Sequence, residues 1–566
     1  MARNIEIGYQ DFETVRQRNN FYIDKTNFIK EWWERGDNVT LITRPRRFGK
    51  TLNMSMLEKF FSVEYADRGS LFEGLNIWQE ESYRKLQGTY PVISLTFANV
   101  KENNYRAALQ RINQILVELY NDHRFLLEEN SLLPEEKEYF CSISEDMPEV
   151  RASMAVHRMA KFLSRYYNRK VIILLDEYDT PMQEAYVGGY WEELTSFTRS
   201  MFNASFKTNP YLERAIMTGI TRISKESIFS DLNNLKVVTT TSEEYADCFG
   251  FTEEEVFAAL REYGLADRKK EVKDWYDGFT FGDREDMYNP WSIINYLDTS
   301  RLGTYWANSS SNSMISKLLR EGSKSVKQDF EQLMCKKAIE MEIDEQIVYD
   351  QLSSKRSAVW SLLLASGYLK VLRREFEAKS GRWNYQLTLT NREVYLMFED
   401  LVHGWFSEQE DNYNDFIRAL LQNNVKAMNT YMNQIALTVF SCFDTGKNPS
   451  MQEPERFYHG FVLGLLVELS DRYLLTSNRE SGFGRYDVVL EPRNKKDDAY
   501  ILEFKVQDAE EERELSDTVA AALKQIREKE YETTLVEREI PKEHIRKYGF
   551  AFRGKKVLIG TEQQKL

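Results

Sequence analysis

The sequence lacks the features of disulfide-stapled, secreted and membrane-spanning proteins. Its 566 residues include four cysteines, none in a CxxC pair, which argues against a disulfide framework or a zinc ribbon. The longest apolar runs, such as 171–175 and 461–466, are much shorter than the ~18 residues that span a bilayer. The first residues, MARNIE, contain no apolar stretch like that of a secretory signal. We therefore expect a cytoplasmic protein without a membrane partner.

Basic residues are in the minority: 75 lysines and arginines face 89 aspartates and glutamates, and the net charge is −14. This balance argues against a surface coated for nucleic-acid binding, although a local basic groove is compatible with it. Apolar residues make up 42% and charged residues 29%, which is ordinary for globular proteins. At ~150 residues per domain, the length predicts three or four domains.

The first 245 residues favour an α/β fold. Short apolar runs predict strands at 38–42, 92–97, 171–175 and 215–220, and apolar residues on one face predict a helix over 51–61. Continuous apolar strands separated by helices are typical of a parallel sheet with helices on both faces.

The rest of the chain predicts three further parts. A helical lid region begins with Thr252 as an N-cap before a run of glutamates. A middle module combines a helix with two β-rich runs and resembles a winged helix, with a packing module between domains as the alternative. After a linker at 446–450, the chain returns to an α/β pattern. The predicted domains are 1–245, 246–350, 351–445 and 446–566.

A candidate phosphate-binding loop follows the first predicted strand. The segment TRPRRFGKT stands at 43–51 before a helix, and strand, loop, Gly-Lys-Thr and helix is the layout of a P-loop. In that layout backbone N–H groups bind phosphate, Lys50 reaches the β and γ phosphates, and Thr51 ligates Mg²⁺. Arg44 stands where the motif has its first glycine, so a tight turn is the alternative. The predicted nucleotide-binding residues of this loop are Arg46, Arg47, Phe48, Gly49, Lys50 and Thr51.

Polar residues at the ends of two later strands would complete such a site. Asp176 and Glu177 directly follow an apolar run, and burying two carboxylates without a purpose is costly. In P-loop enzymes the first acid holds Mg²⁺ through water and the second polarises the attacking water. Thr218 could sense the γ phosphate and Arg222 could neutralise transition-state charge; a satisfied loop threonine and a surface arginine are the alternatives. Asp179 is interpreted as a capping or loop residue.

Several segments together resemble one bacterial family. They are FYIDKT at 21–26, RPRRFGKT at 44–51, LDEYD at 175–179, WYDGF at 275–279 and YNPWS at 288–292. The chain resembles the AAA-ATPase-like proteins that carry a C-terminal nuclease-like domain. The resemblance implies an ATP-binding domain of the STAND/archaeal-ATPase kind, and that family itself has an arginine at the position of Arg44. Asp24 and Lys25 belong to the first segment, and we assign them no chemistry.

A predicted β-hairpin near the C-terminus carries two carboxylates and a lysine. The runs 482–490 and 499–506 predict its two strands. Because side chains alternate along a strand, Glu503 and Lys505 share one face, and Asp487 can meet Glu503 across the ladder. Two converging carboxylates suit Mg²⁺ or Mn²⁺, and the lysine can orient or deprotonate water in phosphodiester hydrolysis. The alternative is a charged, solvated strand face.

The segments that flank this hairpin give it a second resemblance. A predicted helix over 456–469 precedes it, and a helix with Gln525 and Tyr531 follows it. Helix, hairpin and helix with these residues resemble the PD-(D/E)xK nuclease superfamily. The resemblance implies a catalytic set of Asp487, Glu503 and Lys505. It leaves open whether Glu468 or Glu480 is an additional metal ligand, and it implies that Gln525 orients substrate or water.

These patterns predict a bacterial protein with two functions. We expect it to bind and hydrolyse ATP with Mg²⁺, and to carry a Mg²⁺- or Mn²⁺-dependent endonuclease domain whose binding or cleavage of DNA depends on the ATP state. RNA as a substrate and a homo-oligomeric state stay open. The alternative is a nucleotide-controlled switch or signalling ATPase whose nuclease-like domain only binds nucleic acid or protein partners.

Overall fold

The computed structural model divides into two compact units. One comprises Met1–Leu318 and Lys336–Met397, and the other comprises Leu319–Cys335 and Phe398–Leu566. The described residues are those of 3–562 except 129–130, 223–227, 230–231, 310–312, 335, 344–351, 353–354, 379–380, 408–409, 440–461, 463–465, 467–468, 470–471, 478–479, 482–483, 486–487, 509–511 and 554–555. The predicted metal ligands Asp487 and Glu468 and the predicted linker lie outside them, and only the backbone of Glu480 is described.

A five-stranded sheet is the centre of the first unit. Its strands are β1 (Val39–Thr43), β2 (Val92–Thr96), β3 (Val171–Asp176), β4 (Leu212–Gly219) and β5 (Leu235–Val238). They lie in the order β2-β3-β4-β1-β5, and every neighbouring pair is parallel. All residues of β1 and β3 are buried, as expected for inner strands of a sheet that helices cover. The predicted α/β class with a parallel sheet is confirmed.

The helices include the predicted one that follows the loop after β1. In chain order they are α1 (Phe12–Gln17), α2 (Asn27–Arg35), α3 (Lys50–Phe61), α4 (Glu81–Leu86), α5 (Tyr105–Asp122), α6 (Phe125–Glu128), α7 (Pro134–Cys141), α8 (Glu149–Tyr166), α9 (Thr180–Gly188), α10 (Trp191–Phe202), α11 (Glu253–Glu262), α12 (Lys269–Tyr276), α13 (Pro290–Thr299), α14 (Ser313–Glu321), α15 (Lys324–Met334), α16 (Arg356–Ala365), α17 (Arg392–Ser407), α18 (Glu410–Leu421), α19 (Val425–Val439), α20 (Leu515–Glu528) and α21 (Thr533–Glu537). Helix α11 begins as predicted, because Thr252 caps it and Glu255 completes a reciprocal capping box.

Two smaller antiparallel sheets belong to the first unit. The strands β6 (Phe251–Thr252), β7 (Asp277–Phe281) and β8 (Arg284–Tyr288) pair in the order β6-β8-β7. The strands β9 (Ile339–Glu342), β10 (Leu369–Glu377) and β11 (Arg382–Leu389) pair in the order β10-β11-β9. Helix α16 followed by the β10–β11 hairpin corresponds to the helix-plus-hairpin pattern of the sequence.

The second unit is built on a mixed sheet. Its strands are β12 (Tyr473–Ser477), β13 (Glu480–Ser481), β14 (Gly484–Arg485), β15 (Val488–Pro492), β16 (Ala499–Val506), β17 (Ile545–Arg553) and β18 (Lys556–Thr561). The main sheet has the order β12-β15-β16-β17-β18; β16 and β17 run parallel, and the other neighbouring pairs run antiparallel. Strands β13 and β14 pair separately, and β15 corresponds to the described end of the first strand of the predicted hairpin.

Each face of this mixed sheet has its own apolar core. Leu502 and Phe504 pack on one face, and Ile501 packs on the other face with Val519 of α20, as the alternation of the strand predicts. Helix α20 lies close to β17 at Gly549, where a Cβ would stand 2.9 Å from the carbonyl oxygen of Val519. This face also carries Glu503, so α20 covers the predicted nuclease strand.

Candidate functional site

The loop between β1 and α3 has the backbone of a phosphate-binding loop. Gly49 is the N-cap of α3 with φ of +83°, a left-handed conformation that a glycine adopts without strain. Arg47 also has positive φ, +63°. The first N–H groups of a helix have no intrahelical acceptor and lie at the positive end of its dipole. The local sequence therefore presents backbone donors where the P-loop motif predicts them.

The ammonium group of Lys50 is held by the same loop. Its side chain is buried, and Nζ donates hydrogen bonds to the carbonyl oxygens of Arg44 and Pro45, each at 2.9 Å. Burial lowers the pKa of Lys50, and the carboxylates of Glu177 and Asp176 oppose that shift. Since an ammonium has three donors, these two bonds leave one for a ligand oxygen and fix its direction.

Thr51, Asp176 and Thr218 are brought together at one edge of the sheet. Thr51 Oγ1 donates to Asp176 Oδ2 at 2.6 Å, and Thr218 Oγ1 donates to Asp176 Oδ1. They meet because β1, β3 and β4 are parallel, so their carboxyl ends lie at the same edge. Burial raises the pKa of Asp176, and the two hydroxyl donors oppose the rise. A hydroxyl and a carboxylate side by side are ligands that Mg²⁺ prefers.

Glu177 and Arg222 occupy different sides of this edge. Glu177 directly follows β3, has φ of +51°, and accepts a hydrogen bond from Thr180 Oγ1 at 3.1 Å. Arg222 is half-buried and lines a small cavity with Thr239, the residue that follows β5. Strand β5 lies on the opposite side of β1 from β3. The structure thus places Glu177 beside Asp176, and Arg222 beside the end of β5.

Arg44 is fully buried and supports the loop from behind. The guanidinium donates to four backbone carbonyls, those of Thr43 at 2.9 Å, Thr239 at 2.7 Å, Glu244 at 3.1 Å and Tyr245 at 3.4 Å. It also lies 4.6 Å from the ring centre of Phe281, and burial lowers the pKa of Arg44 to about 10. Arginine at the position of the usual glycine therefore has a structural explanation: it connects the loop to the segment after β5.

Three further side chains of the loop lie in different surroundings: those of Arg46, Arg47 and Phe48. Phe48 is buried, with its ring centre 4.8 Å from that of Phe279. The Arg47 guanidinium lies 4.3 Å from the ring centre of Trp291, and Arg46 is exposed. A contribution of Phe48 to phosphate binding is thus restricted to its backbone.

Asp179 has a larger structural role than its sequence position indicated. It is buried, and its Oδ2 accepts from the N–H of Ile220 at 3.0 Å and from both the N–H and Oγ1 of Thr221 at 2.8 Å. It stands at the N-cap position of α9, but its side chain forms no cap bond. A Cβ on Gly219 would lie 2.6 Å from Asp179 Oδ1, so the glycine after Thr218 was the available signal for this contact.

The charged residues of the FYIDKT segment connect distant parts of the first unit. Lys25 Nζ donates to Glu255 Oε2 at 2.7 Å and to the carbonyl oxygen of Asp247 at 2.8 Å. Asp24 accepts from the N–H of Asn76 at 2.7 Å. Lys25 thus ties the N-terminal segment to the start of α11, and Asp24 ties it to the turn at Asn76, which explains two charged residues to which no chemistry was assigned.

The donors at the loop edge fit a nucleoside triphosphate with Mg²⁺ as its counterion. A helix N-terminus and a lysine suit the phosphate oxygens, and the Thr51–Asp176 pair suits the cation. Residues from three separate segments supply these groups, and the hydrogen bonds among them fix their mutual positions.

In the second unit, Glu503 is buried on the face of β16 that α20 covers. Gln525 of α20 donates through Nε2 to Glu503 Oε1, and the same Nε2 lies 3.1 Å from the hydroxyl of Tyr531, just beyond the end of that helix. Lys505 is half-buried two residues further along β16. The structure thus joins Glu503 and Gln525, and Tyr531 adjoins them.

The structure describes only some of the residues that the sequence predicts as metal ligands in the second unit. The described register ends at the pair of Val488 with Leu502. The predicted pair of Asp487 with Glu503 would be the next one, but Asp487 lies outside the described residues. Among the residues that are described, no three His, Cys, Asp or Glu side chains are grouped to hold a metal. The carboxylate of Glu503 suits a hard divalent cation by its chemistry.

Comparisons with known proteins match one domain family in each of the two units. Residues 6–229 match the family described as a predicted AAA-ATPase, and residues 453–562 match the PD-(D/E)XK nuclease superfamily. A protein of Azotobacter chroococcum mcd 1, described as "Uncharacterized protein in vnfD 5'region", is 23% identical over 519 residues, which cover 89% of each chain. Within the described parts of the chain, every helix is too short or too polar to cross a membrane. The chain therefore combines an AAA-ATPase-like domain with a C-terminal domain of the PD-(D/E)XK nuclease superfamily.

Proposed function

We propose that the first unit binds ATP with Mg²⁺ and hydrolyses it. The observation that carries this proposal is the 2.6 Å hydrogen bond between Thr51 and Asp176 beside the buried ammonium of Lys50. Bound Mg²⁺ would supply charge neutralisation on the phosphates. Lys50 compensates phosphate charge, Thr51 and Asp176 hold the cation, and Glu177, next to Asp176, orients the attacking water.

Thr218 and Arg222 have supporting roles in this proposal. Thr218, hydrogen-bonded to Asp176, keeps that carboxylate turned towards Thr51. Arg222 neutralises transition-state charge, which requires its side chain to turn from the end of β5 towards Lys50. Thr218 is therefore already in place, whereas Arg222 acts only after its side chain has moved.

The ATPase test compares the purified full-length protein with Lys50→Ala. We expect the variant to lose ATP binding and turnover, since alanine removes the buried ammonium that compensates the phosphate charge. Lys85→Ala is the matched control, because Lys85 is exposed and paired only with Glu81 among the described residues. Unchanged turnover in Lys50→Ala would refute the assignment of this loop.

We further propose that the second unit hydrolyses phosphodiester bonds of DNA with Mg²⁺ or Mn²⁺. The buried Glu503, held by Gln525, supports this proposal, and Asp487 is the second metal ligand expected from the sequence. Lys505 orients or deprotonates the attacking water. Glu468 or Glu480 is proposed as a further ligand.

The nuclease test incubates supercoiled DNA and, separately, RNA with the protein and either cation. We expect cleavage that is lost in Asp487→Ala and in Glu503→Gln but kept in Lys495→Ala, a change in the exposed β15–β16 loop. Binding that weakens steeply with salt indicates a phosphate interface. Salt-sensitive binding without cleavage would favour the nucleotide-controlled switch, and absence of both would refute a nucleic-acid substrate.

The last part of the proposal is that the ATP state controls the second unit in this bacterial protein. Cleavage or DNA affinity should differ between ATP, ADP and no nucleotide, and Lys50→Ala should remove the difference. Equal behaviour in all three conditions would separate the two activities. Light scattering with and without ATP tests whether a homo-oligomer accompanies the change.

A further inference from the structure

The carbonyl groups of the phosphate loop are anchored from outside the loop. The carbonyl oxygen of Arg46 accepts two hydrogen bonds, one from Trp306 Nε1 at 2.9 Å and one from Asn289 Nδ2 at 3.2 Å. The carbonyl oxygen of Phe48 accepts from the N–H of Gly250 at 3.2 Å. All three donors come from segments that follow the central sheet in sequence.

The direction of these carbonyls decides the direction of the loop N–H groups. In a trans peptide the C=O of one residue and the N–H of the next point to opposite sides. Because Trp306 holds the carbonyl of Arg46, the N–H of Arg47 points away from Trp306. In the same way, the hydrogen bond from Gly250 to the carbonyl of Phe48 turns the N–H of Gly49 away from Gly250. Among the hydrogen bonds of the described residues, none uses the N–H of Arg47 or Gly49.

Further hydrogen bonds fix the positions of the two residues, Trp306 and Asn289, whose side chains anchor the loop. Trp306 is buried, and its backbone N–H donates to the fully buried carboxylate of Glu393 at 2.6 Å. Glu393 also accepts from Ser292 Oγ at 2.8 Å. Asn289 caps α13, with Oδ1 accepting from the N–H of Trp291 at 2.8 Å. The Trp306 and Asn289 donors thus stand in set positions relative to Arg46.

We infer that Trp306 and Asn289 are positioning residues for phosphate binding, because they hold the 46–47 peptide with its N–H turned towards the phosphate chain. Glu393 in turn fixes Trp306. This inference rests on the proposed ATP binding. Donors that are already oriented cost no rearrangement when the ligand binds. If the peptide turned over, the carbonyl dipole would face the phosphates instead.

The test uses Trp306→Phe, Asn289→Ser and the double variant in the full-length protein. Phenylalanine keeps an aromatic ring but lacks Nε1, and serine is an uncharged N-cap too short to reach Arg46. With one hydrogen bond lost per change, we expect the Kd for Mg·ATP to rise about threefold to fivefold in each single variant and about tenfold or more in the double variant. Trp383→Phe is the control, because Trp383 is exposed on β11.

Inorganic pyrophosphate separates positioning from folding. It has no nucleoside, so its competition with a labelled nucleotide should weaken by the same factor as ATP binding. A lower unfolding temperature with unchanged Kd values would show a structural role alone and overturn the inference. If the wild type binds ATP, Lys50→Ala does not, and the double variant binds like the wild type, the inference fails while the proposed function stands. If the wild type binds no ATP, both fail.

Discussion

Arg44→Gly, which restores the glycine that the P-loop motif has at this position, should destabilise the protein. In the structure the Arg44 guanidinium is fully buried, donates to four backbone carbonyls and lies against Phe281. Glycine would leave those carbonyls without this donor and a void behind the loop. The change that makes the motif look more regular is therefore expected to weaken the fold.

The magnitude follows from two opposing contributions. Four hydrogen bonds to a charged group, at ~1.5 kcal/mol net for each, contribute roughly 6 kcal/mol. Against this, burial lowers the pKa of Arg44 from 12.5 to about 10, a desolvation cost of roughly 3 kcal/mol that the glycine variant recovers. The difference is about 3 kcal/mol, and the void adds on the order of 1 kcal/mol. We therefore expect Arg44→Gly to lower the free energy of unfolding by about 3–5 kcal/mol.

The assay is urea unfolding of the full-length chain, followed by tryptophan fluorescence. Arg47→Ala is the control, because it removes an exposed guanidinium that stacks on Trp291. This variant should lose no more than about 1 kcal/mol of unfolding free energy. If Arg44→Gly lowers the free energy of unfolding no more than Arg47→Ala does, the assignment of Arg44 as the support of the loop is refuted.

Further predictions concern groups away from the loop. Burial raises the pKa of Glu393 from 4.5 to about 7, so the folded protein binds a proton there that the unfolded chain does not, and stability falls as pH rises through this window. The stability advantage over Glu393→Gln should shrink by roughly 3 kcal/mol between about pH 5 and pH 8 in urea unfolding, and a constant difference would contradict the shift. Lys25→Met leaves Glu255 without its ion-pair partner and should cost about 3 kcal/mol; a double-mutant cycle with Glu255→Gln that gives no coupling would count against the pair. Gly549→Ala places a Cβ 2.9 Å from the carbonyl oxygen of Val519 and should cost about 1–3 kcal/mol in the second unit, measured by calorimetry; an unchanged transition would disprove the close approach of α20.

Local patterns were enough to predict the parallel sheet and the helix after its first strand. The runs that become β1 and β3 are continuously apolar, because inner strands of a covered sheet contact helices on both faces. Strand β5, with the sequence LKVV, was missed: it is four residues long and includes a lysine, so neither length nor pattern distinguishes it. Strand β13 was missed and β14 was merged with β15 for a similar reason, since two residues carry no periodicity.

The sequence by itself was enough to predict the loop before α3, the two acids at the end of β3, and the strand of Glu503 and Lys505, because each is a short segment whose residues carry their own spacing. Only the tertiary structure decided what Arg44, Asp179 and Trp306 do. Trp306 bonds to Arg46 across 260 positions of sequence, and Arg44 reaches Glu244 across 200. Contacts of that kind leave no local periodicity, since they exist only after the strands have paired and the segments that follow them have packed against the loop.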